Sequence, residues 1–149
     1  MTYISGEIKQ FTTEHLDNAA RLFVSVFNAP PWNHQWTPPK ARARLAQALA
    51  IPDALGVVLR PDEPLGFLLG YIEEWYDERQ FHLIHICSEE GVLADHRMNR
   101  MLSGLEAMLR ERDIHRLYLF TMWSQQSPRY YVAYGFQLTT SARRLERDL

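Results

Sequence analysis

The stretch Ser88–Arg112, SEEGVLADHRMNRMLSGLEAMLRER, decides how this chain is read. It leaves an apolar run, crosses a short loop and enters a strongly amphipathic segment. Met98, Met101, Leu102, Leu105, Met108 and Leu109 recur at the 3.6-residue period, which predicts a helix with one buried face. Upstream, FHLIHICS (Phe81–Ser88) reads as a strand, and downstream HRLYLFTM (His115–Met122) reads as another. Strand, helix and strand in that order predict two parallel neighbours joined by a right-handed crossover. The two strands are expected to diverge at their C-terminal ends.

Working outward, Thr12 and Thr13 each offer a cap for a helix in which Leu16, Ala19, Ala20, Phe23, Val24 and Phe27 share a face. Two proline pairs in APPWNHQWTPP interrupt it, and Thr37-Pro38 starts a second helix through Leu45 and Leu49. Two apolar runs around Arg60-Pro61-Asp62-Glu63-Pro64 predict a hairpin, and Leu65–Ile72, apolar on both faces, reads as a central strand. Ser127, Pro128 and Gly135 mark the ends of a short helix, SPRYYVAYGF, and the tail from Phe136 to Leu149 is expected to return as strand. The expected fold is α+β: a central mixed sheet flanked by about four helices, in one domain over residues 1–149.

Composition bounds the function. With 46% hydrophobic and 23% charged residues the chain has the profile of a soluble globular protein, and a net charge of -2 gives no case for nucleic acid or an anionic membrane. The single cysteine, Cys87, cannot form an internal disulfide and has no metal-ligand neighbours in sequence. No signal-like or membrane-length apolar run is present, so a cytoplasmic location is expected.

The segment RYYVAYGF resembles the F-Y-E-K-x-G-F motif of the GCN5-related N-acetyltransferase (GNAT) family, with Tyr131 on the tyrosine and Gly135-Phe136 on the closing pair. APPWNHQWT is similar to the proline–tryptophan loop between the first two helices of some members, and HRLYLFT to the strand before the tyrosine helix. The resemblance runs over nearly the whole chain. It implies direct transfer of an acetyl group from acetyl-CoA to a small-molecule or peptide amine, without a metal, and allows a homodimer. It also implies a pyrophosphate loop Q/R-x-x-G-x-G/A opening the long helix, and there the chain departs. One register puts the glycines on His96 and Met98, and the other puts them on Arg100 and Leu102.

On this resemblance Tyr131 serves the leaving thiolate and His85 is the base for the acceptor. The backbone of Ile86, Cys87 and Ser88 polarises the thioester, and His96, Arg97, Met98, Asn99, Arg100 and Ser124 surround the cofactor. Trp32 and Trp36, one turn apart if their segment is helical, line the acceptor pocket.

Read from the residues alone, alternatives stand beside these roles. Arg97 and Arg100 in a first helical turn oppose the helix dipole and favour a bound anion, yet Asp95 as a cap with both arginines solvated explains the same pattern. Tyr130, Tyr131 and Tyr134 equally suit packing aromatics, and Trp32 and Trp36 equally suit staples to the core. The alternation of the strand puts His85 on one face with Phe81, Leu83 and Cys87, and His82 on the other with Ile84 and Ile86. Glu73, Glu74, Asp77 and Glu78 form an acidic turn that would suit a cationic substrate. Two functions follow: an acetyltransferase, or a binding module that keeps the fold and has lost acetyl-CoA.

Overall fold

The computed structural model describes residues 3–5, 7–89, 97–121, 131–139 and 143–149. Strands β1 (Tyr3–Ser5) and β2 (Ile8–Gln10) open the chain, followed by helices α1 (Leu16–Phe27) and α2 (Pro38–Leu49). Next come strands β3 (Ala54–Leu59), β4 (Gly66–Glu74) and β5 (Arg79–Ser88), helix α3 (Arg97–Glu111) and strand β6 (Leu117–Tyr118). The sheet has six strands in the order β1-β2-β3-β4-β5-β6, antiparallel up to β5, with β5 and β6 parallel. Because α3 links those two, the crossover expected from Ser88–Arg112 is present.

The helix signals act where they stand. Thr12 caps a short 3-10 turn that feeds α1, its backbone N–H donating to His15 Nδ1 at 3.0 Å. Thr37 Oγ1 accepts from the Lys40 N–H at 3.3 Å and Pro38 occupies the first position of α2. Residues 131–133 are helical and close in a Schellman motif: Phe136 N–H donates to Tyr131 O, Gly135 N–H donates to Val132 O, and Gly135 takes φ +89. Ser127 and Pro128 lie outside the described residues.

Two strands are added and two expectations are corrected. β1 and β2 carry no long apolar run; β2 pairs with β3 and β1 with β2, and that pairing makes them strands that local pattern does not announce. β6 is paired over two residues only, not from His115 to Met122. Among the described residues of the tail, 136–139 and 143–149 form no strand.

Two cores sandwich the sheet. On one face Leu55, Val57, Leu59, Leu68, Phe81 and Leu83 pack on Met98, Met101, Leu102, Leu105, Met108 and Leu109 of α3. On the other, Val58, Phe67, Leu69 and Cys87 pack on α1 and α2 through Ala20, Phe23, Ala41 and Leu45. β3 and β4 therefore feed both cores, as their doubly apolar sequences require.

β5 breaks this regularity. Leu69 pairs with His85 and Gly70 with Leu83, so Ile84 has no partner on β4 and forms a β-bulge. One inserted residue exchanges the faces of everything beyond it. Gly70 lies opposite: a Cβ there would stand 2.1 Å from the His82 carbonyl oxygen and 2.8 Å from the Phe81 ring. Gly70→Ala is expected to destabilise the protein by roughly 1–3 kcal/mol, since backbone cannot yield as a side-chain tip does. At roughly 2–4 °C per kcal/mol the melting temperature should fall by several degrees. An unchanged melting temperature would show that the β4–β5 contact relaxes freely.

Candidate functional site

The bulge moves His85. Phe81 and Leu83 face α3, whereas His85 sits edge-on to Phe23 of α1 at 5.9 Å and shares the α1/α2 face with Cys87. His85 therefore does not share a face with Phe81 and Leu83. His82, opposite Phe81, lies on the same face as His85, not with Ile86, which packs toward α3. Burial, reinforced by Arg44, lowers the His85 pKa to about 4, and among the described residues its Nε2 has no hydrogen-bond partner. A buried imidazole nitrogen left open is unfavourable unless something docks on it.

The β6 ladder covers only Phe81–Leu117 and His82–Tyr118, so among the described residues no strand lies beside Leu83–Ser88 on that side. Of the three residues assigned to thioester contact, Ile86 packs toward α3, while Cys87 and Ser88 are 1% and 5% exposed. Burial pushes the Cys87 thiol up, so only its backbone is available to a ligand as a polar group.

Tyr131 lies on the other face. Its ring packs against the α3-side core and edge-on to Phe136 at 5.8 Å. Burial raises its pKa, and a hydrogen bond with Thr121 offsets part of that rise, so the phenol is protonated at neutral pH. Tyr131 and His85 thus flank the sheet from opposite sides.

The start of α3 separates its residues. Met98 is 3% exposed and belongs to the core, so it fills the space beneath the helix rather than a ligand site. Arg97 stands beside Glu89 at the end of β5, with 4.0 Å between Nη1 and Oε2. Arg100 turns toward the β2 side, where Glu7 bridges it at 3.6 Å and Arg60 at 3.2 Å. Asn99 is exposed, and His96 and Ser124 lie outside the described residues.

The segment carrying Trp32 and Trp36 is not helical. Asn28 clamps it, its side chain accepting from the Trp36 N–H and donating to the Trp36 carbonyl at 2.9 Å each. Trp36 meets Phe23 edge-on at 5.0 Å and Trp32 meets Phe27 at 5.3 Å. Both indoles are half-buried, so they staple the loop and also leave surface above His85's neighbour Phe23.

One group was underrated as part of a turn. Glu73, half-buried on β4, accepts from the Tyr71 hydroxyl at 2.9 Å, from the Tyr118 hydroxyl and from Trp75 Nε1 at 3.4 Å. Burial works to raise its pKa, but the bonds from Tyr118, Tyr71 and Trp75 outweigh that and hold the carboxyl below its ordinary range. Burial lowers the His82 pKa, against a smaller opposing pull from Glu73. The period-2 alternation of Tyr71 and Glu73 was the available signal. Among the described residues no group of three or more His, Cys, Asp or Glu side chains could hold a metal, and no helix is long and apolar enough to cross a membrane.

The sequence matches no protein-family model and no curated protein. Solved structures do match in shape. A probable acetyltransferase is 23% identical, with 97% of this chain and 99% of that one covered at a TM-score of 0.76. An aminoglycoside N-acetyltransferase in complex with CoA is 14% identical over 95% and 94% of the two chains, at 0.70. A predicted acetyltransferase with acetyl-CoA from Clostridium acetobutylicum is 15% identical over 93% and 94%, at 0.66. The chain has the GNAT-like α+β fold.

His85 gives this site a pH signature. Its folded pKa lies below the ordinary 6.5, so between pH 6.5 and about 4 the unfolded chain binds a proton that the native state does not. Stability is therefore fully present above pH 6.5 and falls as the pH drops toward 4, by at most about 3 kcal/mol. His85→Leu should remove that part of the slope in denaturant titrations run across this window. An identical slope in the variant would assign the loss to other groups.

Proposed function

We propose that this chain is an acetyl-CoA-dependent N-acetyltransferase acting on an amine. The observation that carries the reading is the edge of β5 from Leu83 to Ser88, which no strand covers among the described residues, with Tyr131 on one side of the sheet and on the other His85 Nε2, without a hydrogen-bond partner among those residues. An extended thioester arm can lie along such an edge as an added strand, using backbone bonds for position. The full match in shape to structures that hold CoA or acetyl-CoA supports the choice of donor.

Bound acetyl-CoA supplies an activated acyl group, and this chain's residues hold it and move protons around it. Backbone N–H groups on the edge between Leu83 and Ser88 orient the carbonyl oxygen as negative charge grows there. Arg97, at the end of β5, supplies positive charge for the phosphates in place of the absent glycines. The Tyr131 hydroxyl, kept protonated by burial, donates its proton to the departing sulfur as the C–S bond breaks, and the proton that the nitrogen gives up on forming the C–N bond passes to solvent. A histidine with a pKa of about 4 is a poor match for an ammonium proton. His85 therefore acts as a hydrogen-bonding group that aims the neutral amine, with Trp32 and Trp36 along its approach.

Tyr131→Phe tests this directly. The ring and its contact with Phe136 remain, so turnover measured as thioester consumption should fall about 10²-fold or more. Acetyl-CoA at ~100 times its dissociation constant adds about 2.7 kcal/mol, and should raise the melting temperature of both proteins by several degrees. Arg97→Ala should reduce that shift, measured against the variant's own unliganded melting temperature. Absence of any shift at millimolar acetyl-CoA would favour the rival reading, a binding module without the cofactor.

A further inference from the structure

Glu73 and the rings around it have no part in the mechanism above, yet they form the best-organised polar cluster on the α1/α2 face. Oε1 accepts from the Tyr118 hydroxyl and from Trp75, and Oε2 accepts from Tyr71 alone. A carboxylate offers about four lone-pair positions, so one position on Oε2 stays open. All three donors are neutral. Among the described residues no arginine or lysine pairs with Glu73, whereas Glu78 has Arg116 and Glu7 has both Arg60 and Arg100. Glu73 is thus oriented without being neutralised.

The walls are aromatic. His82 stacks on Tyr118 at 4.6 Å and 10°, and Phe120 stands edge-on to both rings at 5.6 and 5.8 Å. Trp75 and Phe120 are 49% and 70% exposed, apolar surface that neither core covers. An uncompensated carboxylate beside exposed aromatic rings attracts an organic cation by direct charge and by the ring quadrupole. His82 is kept neutral by burial at pH 7 and so does not fill that role itself.

We propose that Glu73, walled by Trp75, Tyr118 and Phe120, is a cation subsite for the acceptor, and that the acceptor is a diamine or polyamine. One nitrogen is acetylated near His85 while a second, charged nitrogen rests on Glu73. Glu73 stands four residues along β4 from Leu69, the partner of His85, a span of about 13 Å along the strand. A flexible alkyl chain between two nitrogens covers such a span. The proposal rests on the acetyltransferase reading for the fate of the first nitrogen, and on Glu73 alone for the second.

Isothermal titration of α,ω-diaminoalkanes and of monoalkylamines of matching length, without acetyl-CoA, tests the subsite apart from catalysis. The wild type should prefer the diamine. Glu73→Gln, which keeps the shape and loses the charge, should weaken diamine binding about ten- to a hundredfold and abolish the preference. Trp75→Ala, at an exposed position, should weaken it roughly two- to fivefold, and it carries the test should the melting curve show Glu73→Gln to be unfolded. Equal binding of diamines and monoamines, or a preference that survives in both variants, overturns the proposal. Thioester consumption then separates the two readings. Glu73-dependent diamine binding with no turnover leaves the subsite standing and removes the acetyltransferase, whereas turnover indifferent to Glu73 keeps the enzyme and removes the subsite.

Discussion

The arrangement depends on a close approach of two backbones at the centre of the sheet. Gly70 lies against the His82 carbonyl with no room for a side chain, and beside it Ile84 is squeezed out of the β4–β5 ladder. Before the bulge, β5 pairs with β6 and sends Phe81 and Leu83 into the α3 core. After it, β5 has no strand on that side among the described residues and sends His85 and Cys87 toward α1 and α2. A regular β5 would have put His85 in the α3 core and left the α1/α2 face without its open imidazole.

Much of this framework was legible because it is periodic. The stripe on α3 is read directly, and all six of its predicted apolar positions are buried. The hairpin around Arg60–Pro64 and the start of α2 at Thr37-Pro38 are equally local, each fixed by residues within one turn of where they act. β1 and β2 were missed because three residues are too few for a pattern. The length of β6 was overread because an apolar run shows what could be a strand, not where its partner leaves.

The site was less legible, for a related reason. A bulge is one residue of mismatch between two strands, and neither strand's own sequence records it. His82 and His85 were therefore placed on opposite faces when they share one. Glu73 looked like part of a charged turn because Tyr118, one of its hydrogen-bond donors, lies 45 residues away on β6. Met98 shows the converse: aligning it to a glycine of a cofactor loop says little once the helical stripe requires it in the core.

The two faces of the sheet are built to different rules. On the α3 side the buried positions of β3, β4, β5 and α3 are apolar apart from Ser88 at the end of β5. On the α1/α2 side the same sheet leaves an imidazole nitrogen without a hydrogen-bond partner among the described residues, and a carboxylate that neutral hydrogen-bond donors rather than a cation hold ionised. Each is held in place by neighbours that could have been apolar: Phe23 against His85, and Tyr71 and Tyr118 against Glu73. The tyrosines keep their hydroxyls on the carboxylate; in return it raises the Tyr71 pKa and adds to the rise that burial gives Tyr118. Groups ordered jointly on one face, beside a strand edge unpaired among the described residues, are what a polar ligand would need to find already in position.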